Sequence, residues 1–246
     1  MAEFKGIDVS KHNGEIDWSK ASKEIDFAII RAGFGREAYQ KDGMFERNYE
    51  QAKKYGVPVG AYHYSYATSV SEAEKEAEVL LSWIRGKKFE YPIFFDIEEK
   101  SQVALPKSTC TAIVKAFCKK IEAAGYWVGV YSFDSFFSSN LDSSIQESYA
   151  CWAARVENIK PKHCKKYGMW QYSWKGSVSG INGDVDMNFC YFDYPNAIKN
   201  AELNGYSKKN STYSVLASIG ELTEDKAYET AVYLKKLGMT VIVKED

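Results

Sequence analysis

Four carboxylates occupy positions from which they could act together. Asp96 and Glu98 follow an apolar run in YPIFFDIEEKS, Asp8 closes the strand-like GIDVS, and Asp186 sits in GDVDMN. Residues i and i+2 of a strand point the same way, which puts Asp96 and Glu98 side by side with Cα atoms about 6–7 Å apart. Carboxylates crowded in one place repel, so at least one is held protonated near neutral pH, as a general acid must be. Cleavage of a glycosidic bond needs such a pair. Acids at strand ends also cap helices or pair with bases, and that role is assigned to Glu99 and Asp184. Recurrence at the ends of three separate apolar strands favours the catalytic reading for Asp8, Asp96, Glu98 and Asp186 acting together.

The elements that would hold these acids alternate along the chain. FKGIDVS, DFAIIRAGFG, VPVGAYHYSY, YPIFFDIE and YWVGVYS are short apolar runs, most of them separated by helical segments. Phe45, Tyr49 and Ala52 share one helix face before Gly56. Ser71 and Glu74 have capping-box spacing and open a helix closing at Gly86; Pro106 opens another, with Ile113, Val114, Phe117 and Ile121 inward, that stops at Gly125. Strand then helix, repeated, predicts a parallel sheet with helices outside. After residue 140 the strand-like SYACWAAR, YGMWQYS and DVDMNFCYF continue, but 155–167 and 173–184 carry no helical pattern. The expected fold is α/β: an irregular TIM-like (β/α) barrel of about eight strands with a degenerate C-terminal half, its catalytic groups gathered where the parallel strands end.

Composition narrows the ligand. A chain of 246 residues can bury a large core, and its formal net charge of -1 with no basic run argues against nucleic acid and against an anionic membrane. Aromatic residues make up 15%, which suits sugar rings with apolar faces and polar edges, although most aromatics in any domain are core. No apolar run is long enough for a membrane span, and MAEFKGIDVS lacks a signal-peptide h-region. The five cysteines are odd in number and contain no CxxC; Cys110 and Cys118 lie about 12 Å apart along one helix, too far to bridge, so the thiols read as reduced and buried. His12, His63 and His163 show no ligand spacing, and neither a metal nor another cofactor is expected.

The motifs GIDVSKHNGEIDW, FAIIRAGFG, VGAYHYS, FFDIE, VGVYS, WAA, WQYS and GDVDMN occur in the order found in the lysozymes of glycoside hydrolase family 25, which this chain resembles over roughly residues 4 to 195. The resemblance implies a muramidase of the phage endolysin or bacterial autolysin type, cleaving the β-1,4 bond between N-acetylmuramic acid and N-acetylglucosamine of cell-wall peptidoglycan. Glu98 matches the general acid, with Asp96, Asp186 and Asp8 as the other carboxylates. Tyr62 and Tyr131 match aromatics lining the groove, Arg31 a barrel position expected to orient the acids by charge-assisted hydrogen bonds, and Trp170 and Gln171 floor positions, Trp170 equally reading as core. Retention is implied, with Asp96 or Asp186 as nucleophile or as support for attack by the substrate's own acetamido group. A chitinase-like barrel also ends a strand in DxE but has further acids upstream, where Tyr91 and Phe94 stand here; a wall-binding module without catalysis would lack Glu98 or Asp186. The expected partner is peptidoglycan, with no nucleic acid and no membrane insertion. The expected location is the cytoplasm of the producing host until lysis.

The barrel is expected over 1–195, a polar linker over 196–210 and a small β-α-β module over 211–246. STYSVLASIG, ELTEDKAYETAVYLKKLG and MTVIVKED read as strand, helix and strand, with Glu224 and Asp225 in the helix's first turn, Lys235 and Lys236 in its last and Gly238 beyond it. The pattern resembles half of a sporulation-related repeat domain, a glycan-binding module. Alone it would leave a strand edge exposed. Pairing with a second copy through 211–246 is therefore expected, with Val215, Leu216, Val241, Ile242 and Val243 in the shared sheet.

Overall fold

The computed structural model describes residues 3–156, 159–206 and, beyond them, 226, 229, 230 and 234. The chain divides into two units, Met1–Ser207 and Lys208–Asp246. The expected β-α-β module over 211–246 lies outside the described residues apart from those four positions.

Eight strands close a barrel in sequence order: β1 (Phe4–Val9), β2 (Phe27–Phe34), β3 (Val59–Tyr64), β4 (Ile93–Asp96), β5 (Val128–Phe133), β6 (Ala150–Ala154), β7 (Tyr167–Gly176) and β8 (Val185–Cys190). Each falls on one of the apolar runs. The helices are α1 (Trp18–Ala21), α2 (Phe45–Lys54), α3 (Val70–Ile84), α4 (Lys100–Val103), α5 (Lys107–Ala123), α6 (Phe136–Ser139), α7 (Ser144–Ser148) and α8 (Tyr194–Asn200). In the two long helices the buried positions follow the helical period, with Ala73, Ala77, Leu80 and Ile84 on α3 and Ile113, Val114, Phe117 and Ile121 on α5.

Two expectations shift. The cap of α3 is Ser69, whose side chain accepts from the Glu72 N–H, while Thr68 N–H donates to the Glu72 carboxylate at 2.8 Å. SVSEAE offers the capping-box spacing twice, and the earlier register is used. The sheet is also not wholly parallel: β1 to β7 run one way, but β8 pairs antiparallel with both β7 and β1. The connection 177–184 is too short for the crossover a parallel return requires.

Alternation sorts the barrel. Ile7, Ile30, Ala61, Ile93 and Val130 face the helix layer, whereas Phe27, Phe94, Tyr131 and Trp152 fill the interior. Gly6 and Gly129 make room for this filling, because a Cβ on either would sit 2.6 or 2.5 Å from the Phe27 or Phe94 ring. Large rings below leave the upper end of the interior to polar side chains.

The expected linker from residue 196 is not one over its described part. Residues 194–200 are helix α8, and the wholly buried Asn204 ties the N-terminal ends of β4 and β5 to the segment that follows it. Its backbone N–H donates to Gly125 O, its carbonyl accepts from Phe89 N–H, its Oδ1 accepts from Trp127 N–H at 2.7 Å and its Nδ2 donates to Tyr91 O at 2.8 Å. A polar side chain here satisfies backbone groups that no strand reaches.

Candidate active site

Asp8 ends the inward-facing row of β1 and is buried. Its Oδ2 accepts from Gln171 Nε2 and from Asn188 Nδ2, both at 2.8 Å. Asp186 lies directly opposite it in the β1–β8 register. Because β8 is reversed, Asp186 reaches the mouth from the start of its strand, where the sequence reading placed it near a strand's end. Asp8 and Asp186 are close enough to influence each other, Asp186 favouring charge on Asp8 and the charge of Asp8 disfavouring it on Asp186. Burial raises both, Asp186 to about 8 and Asp8 only to about 6, because Asn188 and Gln171 donate to Asp8. The proton therefore rests on Asp186 and the charge on Asp8.

Asp96 closes β4 and Glu98 follows two residues later. The intervening Ile97 is pinned by its N–H on Tyr131 O and by Ser132 Oγ, which donates to Ile97 O at 2.5 Å. Asp96 is buried and held well above the usual carboxylate range by that burial and by the charges of Glu98 and Asp8, with Arg31 opposing. Glu98 is raised to about 7, first by burial and then by Glu99 and Asp186. Asp96 Oδ1 and Glu98 Oε2 are both buried and have no hydrogen-bond partner among the described residues. A carboxyl that is protonated near neutral pH and has an uncommitted oxygen can deliver a proton to a ligand.

The aromatic and polar surroundings are shared. Tyr131 donates to Gln171 Oε1 at 2.8 Å and packs on Trp152, which donates from its indole to Asn188 Oδ1 at 2.8 Å. Tyr62 meets Trp152 edge to face, and burial together with Asp8 holds its hydroxyl protonated. Gln171 is thus the pivot joining Tyr131 to Asp8. Trp170, its neighbour, points the other way: it packs with Tyr172 and Phe189 on the outer face and donates to Arg155 O at 2.6 Å. The core alternative holds for Trp170, since successive strand residues face opposite sides.

Arg31 lies beside Tyr62 across the β2–β3 register, but its hydrogen bond goes to Asp42, Nε to Oδ2 at 2.7 Å. The expected hydrogen bonds from Arg31 to the catalytic acids are replaced by this pair, and Arg31 reaches Asp96 only through its field. Buried Asp42 also accepts from Lys11 N–H and Met44 N–H. Glu99 caps α4 as expected, its N–H donating to Gln102 Oε1 at 3.0 Å, and it accepts from the Tyr64 hydroxyl at 2.8 Å. Asp184 is exposed, its carbonyl accepting from Asn13 Nδ2. Sequence reasoning missed Asp42, Tyr64, Trp152 and Asn188. Asn188 was within reach, being i+2 from Asp186 on one strand. Among the described residues no group of three or more His, Cys, Asp or Glu is arranged to hold a metal ion.

Comparison with known proteins agrees with this geometry. The family model for glycosyl hydrolases family 25 matches residues 7–181. The Escherichia coli K12 protein YegX is 31% identical over 191 residues, covering 74% of this chain and 68% of its own. The autolytic lysozyme of Clostridium acetobutylicum is 29% identical over 187 residues, covering 75% of this chain and 55% of its own. The crystal structure of the bacterial lysozyme from Streptomyces coelicolor superposes with a TM-score of 0.70 at 26% identity, over 83% of this chain and 98% of that one. A family match across most of the barrel, on a chain whose acids meet at one mouth, makes this protein a member of glycosyl hydrolases family 25.

Proposed function

We propose that this chain is a peptidoglycan hydrolase of the lysozyme type, cleaving the β-1,4 bond between N-acetylmuramic acid and N-acetylglucosamine, with Glu98 as general acid. The observation that carries the reading is the Glu98 carboxyl, raised to about 7, with a buried oxygen that nothing in the described protein engages, beside Asp96. Glu98 donates its proton to the leaving glycosidic oxygen. Asp96 or Asp186 then attacks the anomeric carbon, or supports attack on it by the substrate's own acetamido oxygen, and water opening that intermediate gives retention. Asp8 and Asp186 hold one proton between them and fix the local charge. Tyr62 and Tyr131 line the groove, Gln171 orients Asp8, and Arg31 moderates Asp96 from its place on Asp42. The barrel reads as an irregular TIM-like one whose last crossover has shrunk to the 177–184 connection.

The test is clearing of purified cell walls by the chain and by Glu98→Gln. Glutamine keeps the shape and removes the proton, so lysis falls by about 10²–10⁴-fold while thermal stability stays level or rises. A Glu98→Gln protein that clears walls at the normal rate refutes the assignment.

For residues 211–246 the sequence pattern supports a module that pairs two copies of the chain and helps hold the wall. Light scattering on the full chain and on residues 1–206 tests it. A dimer lost on truncation is expected; a monomeric full chain, or a dimer that persists without the tail, rules it out.

A further inference from the structure

Glu98 is placed without help from its own buried oxygen. Its Oε2 has no hydrogen-bond partner among the described residues, so the carboxyl stands where the backbone on either side of it stands. On one side Ile97 is anchored to β5, its N–H donating to Tyr131 O and its carbonyl accepting from Ser132 Oγ. On the other side the Glu99 N–H donates to Gln102 Oε1 at 3.0 Å. An acid that has to come within hydrogen-bond reach of a leaving oxygen depends on both anchors.

Gln102 does more than complete the cap of α4. It is wholly buried, and its amide is engaged at both ends. While Oε1 accepts from Glu99, Nε2 lies within reach of three acceptors on the connection between β3 and α3: Ser65 Oγ at 3.1 Å, Ala67 O at 3.1 Å and Ser65 O at 3.3 Å. A capping box accounts for the first contact, since it needs only a side chain three residues on. It does not account for the others, which reach 35 and 37 residues back along the chain.

The connection is itself fixed. Ser65 N–H donates to Asp96 O at 2.9 Å, Ala67 N–H to Ser65 Oγ at 3.1 Å, and Tyr66 N–H to Oε1 of Glu76, a buried residue of α3, at 2.9 Å. From α5, Cys110 Sγ donates to Gln102 O at 3.2 Å. Tyr64, the last residue of β3, donates to the Glu99 carboxylate at 2.8 Å. Residue 99 is thus held twice from the end of β3, by its carboxylate through Tyr64 and by its backbone through Gln102.

We infer that Gln102 is a positioning residue for the general acid: by tying the 97–99 turn to the 65–67 connection, it holds the Glu98 carboxyl at the distance that proton delivery needs. Wholly buried, it touches no substrate and acts through Glu98. The inference rests on the lysozyme reading above and deepens it, because it names what keeps the acid in place.

The experiment is a cycle of substitutions read as kcat and KM on soluble wall fragments, by release of reducing ends. The four full-length proteins are the unsubstituted chain, Gln102→Met, Glu98→Gln and the pair together. Methionine is of similar length and offers neither end of the amide. Alone, Gln102→Met lowers kcat about 10–100-fold, because a carboxyl displaced by about 1 Å loses its line to the leaving oxygen. KM stays within about threefold, since binding is not what is lost. In the Glu98→Gln background, where no proton is delivered, the same change lowers kcat by less than about twofold. A merely structural role would lower kcat equally in both backgrounds. A urea titration checks folding; if Gln102→Met does not fold, Ser65→Ala, which removes one hydroxyl of the same tie, replaces it in the cycle with the same pattern expected at smaller size. Equal falls in both backgrounds, an unchanged kcat for the single variant, or a rise in KM alone overturns the inference while the lysozyme reading stands. If the unsubstituted protein releases no reducing ends, the lysozyme reading itself has failed and the inference falls with it.

Discussion

Replacing Glu99 with glutamine tests whether Glu98 is the acid without removing it. After burial, the charge of Glu99 is the largest influence holding the Glu98 carboxyl up at about 7. Glutamine keeps the acceptor for the Tyr64 hydroxyl and leaves the backbone N–H of residue 99 on Gln102. Carboxylates on adjacent residues at a partly open edge lie about 7 Å apart, and with an effective dielectric of about 40 the repulsion is about 1.2 kcal/mol, or about 0.9 of a pH unit. Salt trims this to about 0.5–0.9. The sign is fixed: removing a neighbouring negative charge lets Glu98 release its proton sooner, so the alkaline limb of activity moves toward acid. The assay is kcat/KM on soluble wall fragments from about pH 4 to about pH 9 at constant ionic strength. The unsubstituted protein should lose activity through about pH 7, where Glu98 titrates. Glu99→Gln should match it at pH 5 and fall about 3–8-fold below it at pH 8, with the difference shrinking in high salt. An alkaline limb that stays in place, or moves to higher pH, refutes the role of Glu98 as the titrating acid.

The remaining expectations concern stability and charge. The folded state keeps a proton on Asp186 up to about pH 8, whereas an unfolded aspartate releases it near 3.8, so stability falls as pH rises through that window. Asp186→Asn should then melt several degrees higher at pH 8 and show no gain at pH 4, with activity lost; equal gains at both pH values would refute a proton held on Asp186. Asn204→Ala leaves the Trp127 N–H and the Tyr91 carbonyl without their partners and should cost about 2–5 kcal/mol in a urea titration. Unchanged urea midpoints would show that the clasp contributes nothing. Above pH 8, where Asp186 also ionises, the Kd of the Glu98→Gln protein for carboxylate-bearing fragments should rise while its Kd for chitotetraose holds; parallel rises would show that the charge of the mouth does not select the ligand.

All eight strands were legible because each apolar run is short and bounded, and Asp8, Asp96 and Glu98 were legible because they sit where such runs stop, whereas Asp186 opens its run. The direction of β8 was not, since DVDMNFCYF reads the same either way along the sheet. The length of 177–184 was the available clue, and it excludes a crossover on covalent reach alone. Arg31 was rightly placed on the barrel, but its partner could not be read. Asp42 resembles an ordinary turn residue before α2, and only the folded loop brings it to the guanidinium. The expected linker over 196–210 rests on its polarity, yet over its described part, to residue 206, polarity is what the position demands: Asn204 serves backbone groups at the barrel's closed end. Trp170 and Gln171 show the limit of motif reading. A motif names both positions, and strand alternation sends one into the site and the other behind it.

The acids and the rings beneath them have one physical origin. Phe27, Phe94 and Trp152 fill the lower barrel so completely that little water reaches the carboxylates from below, and desolvation is the first cause of elevation for Asp8, Asp96, Glu98 and Asp186 alike. Exposed, the same four groups would all be ionised at pH 7, and none could donate a proton. Burial alone would raise them together and leave none charged. The hydrogen bonds break that symmetry: Asn188 and Gln171 favour charge on Asp8, while Glu98 Oε2 receives no such help. One carboxyl of the cluster is thus kept anionic by two amide side chains on β7 and β8, the strands whose antiparallel pairing brings Gln171 opposite Asn188, while burial and its neighbours' charges keep Glu98 protonated. The reversal of β8 is therefore part of how the site assigns its protons as well as how the barrel closes.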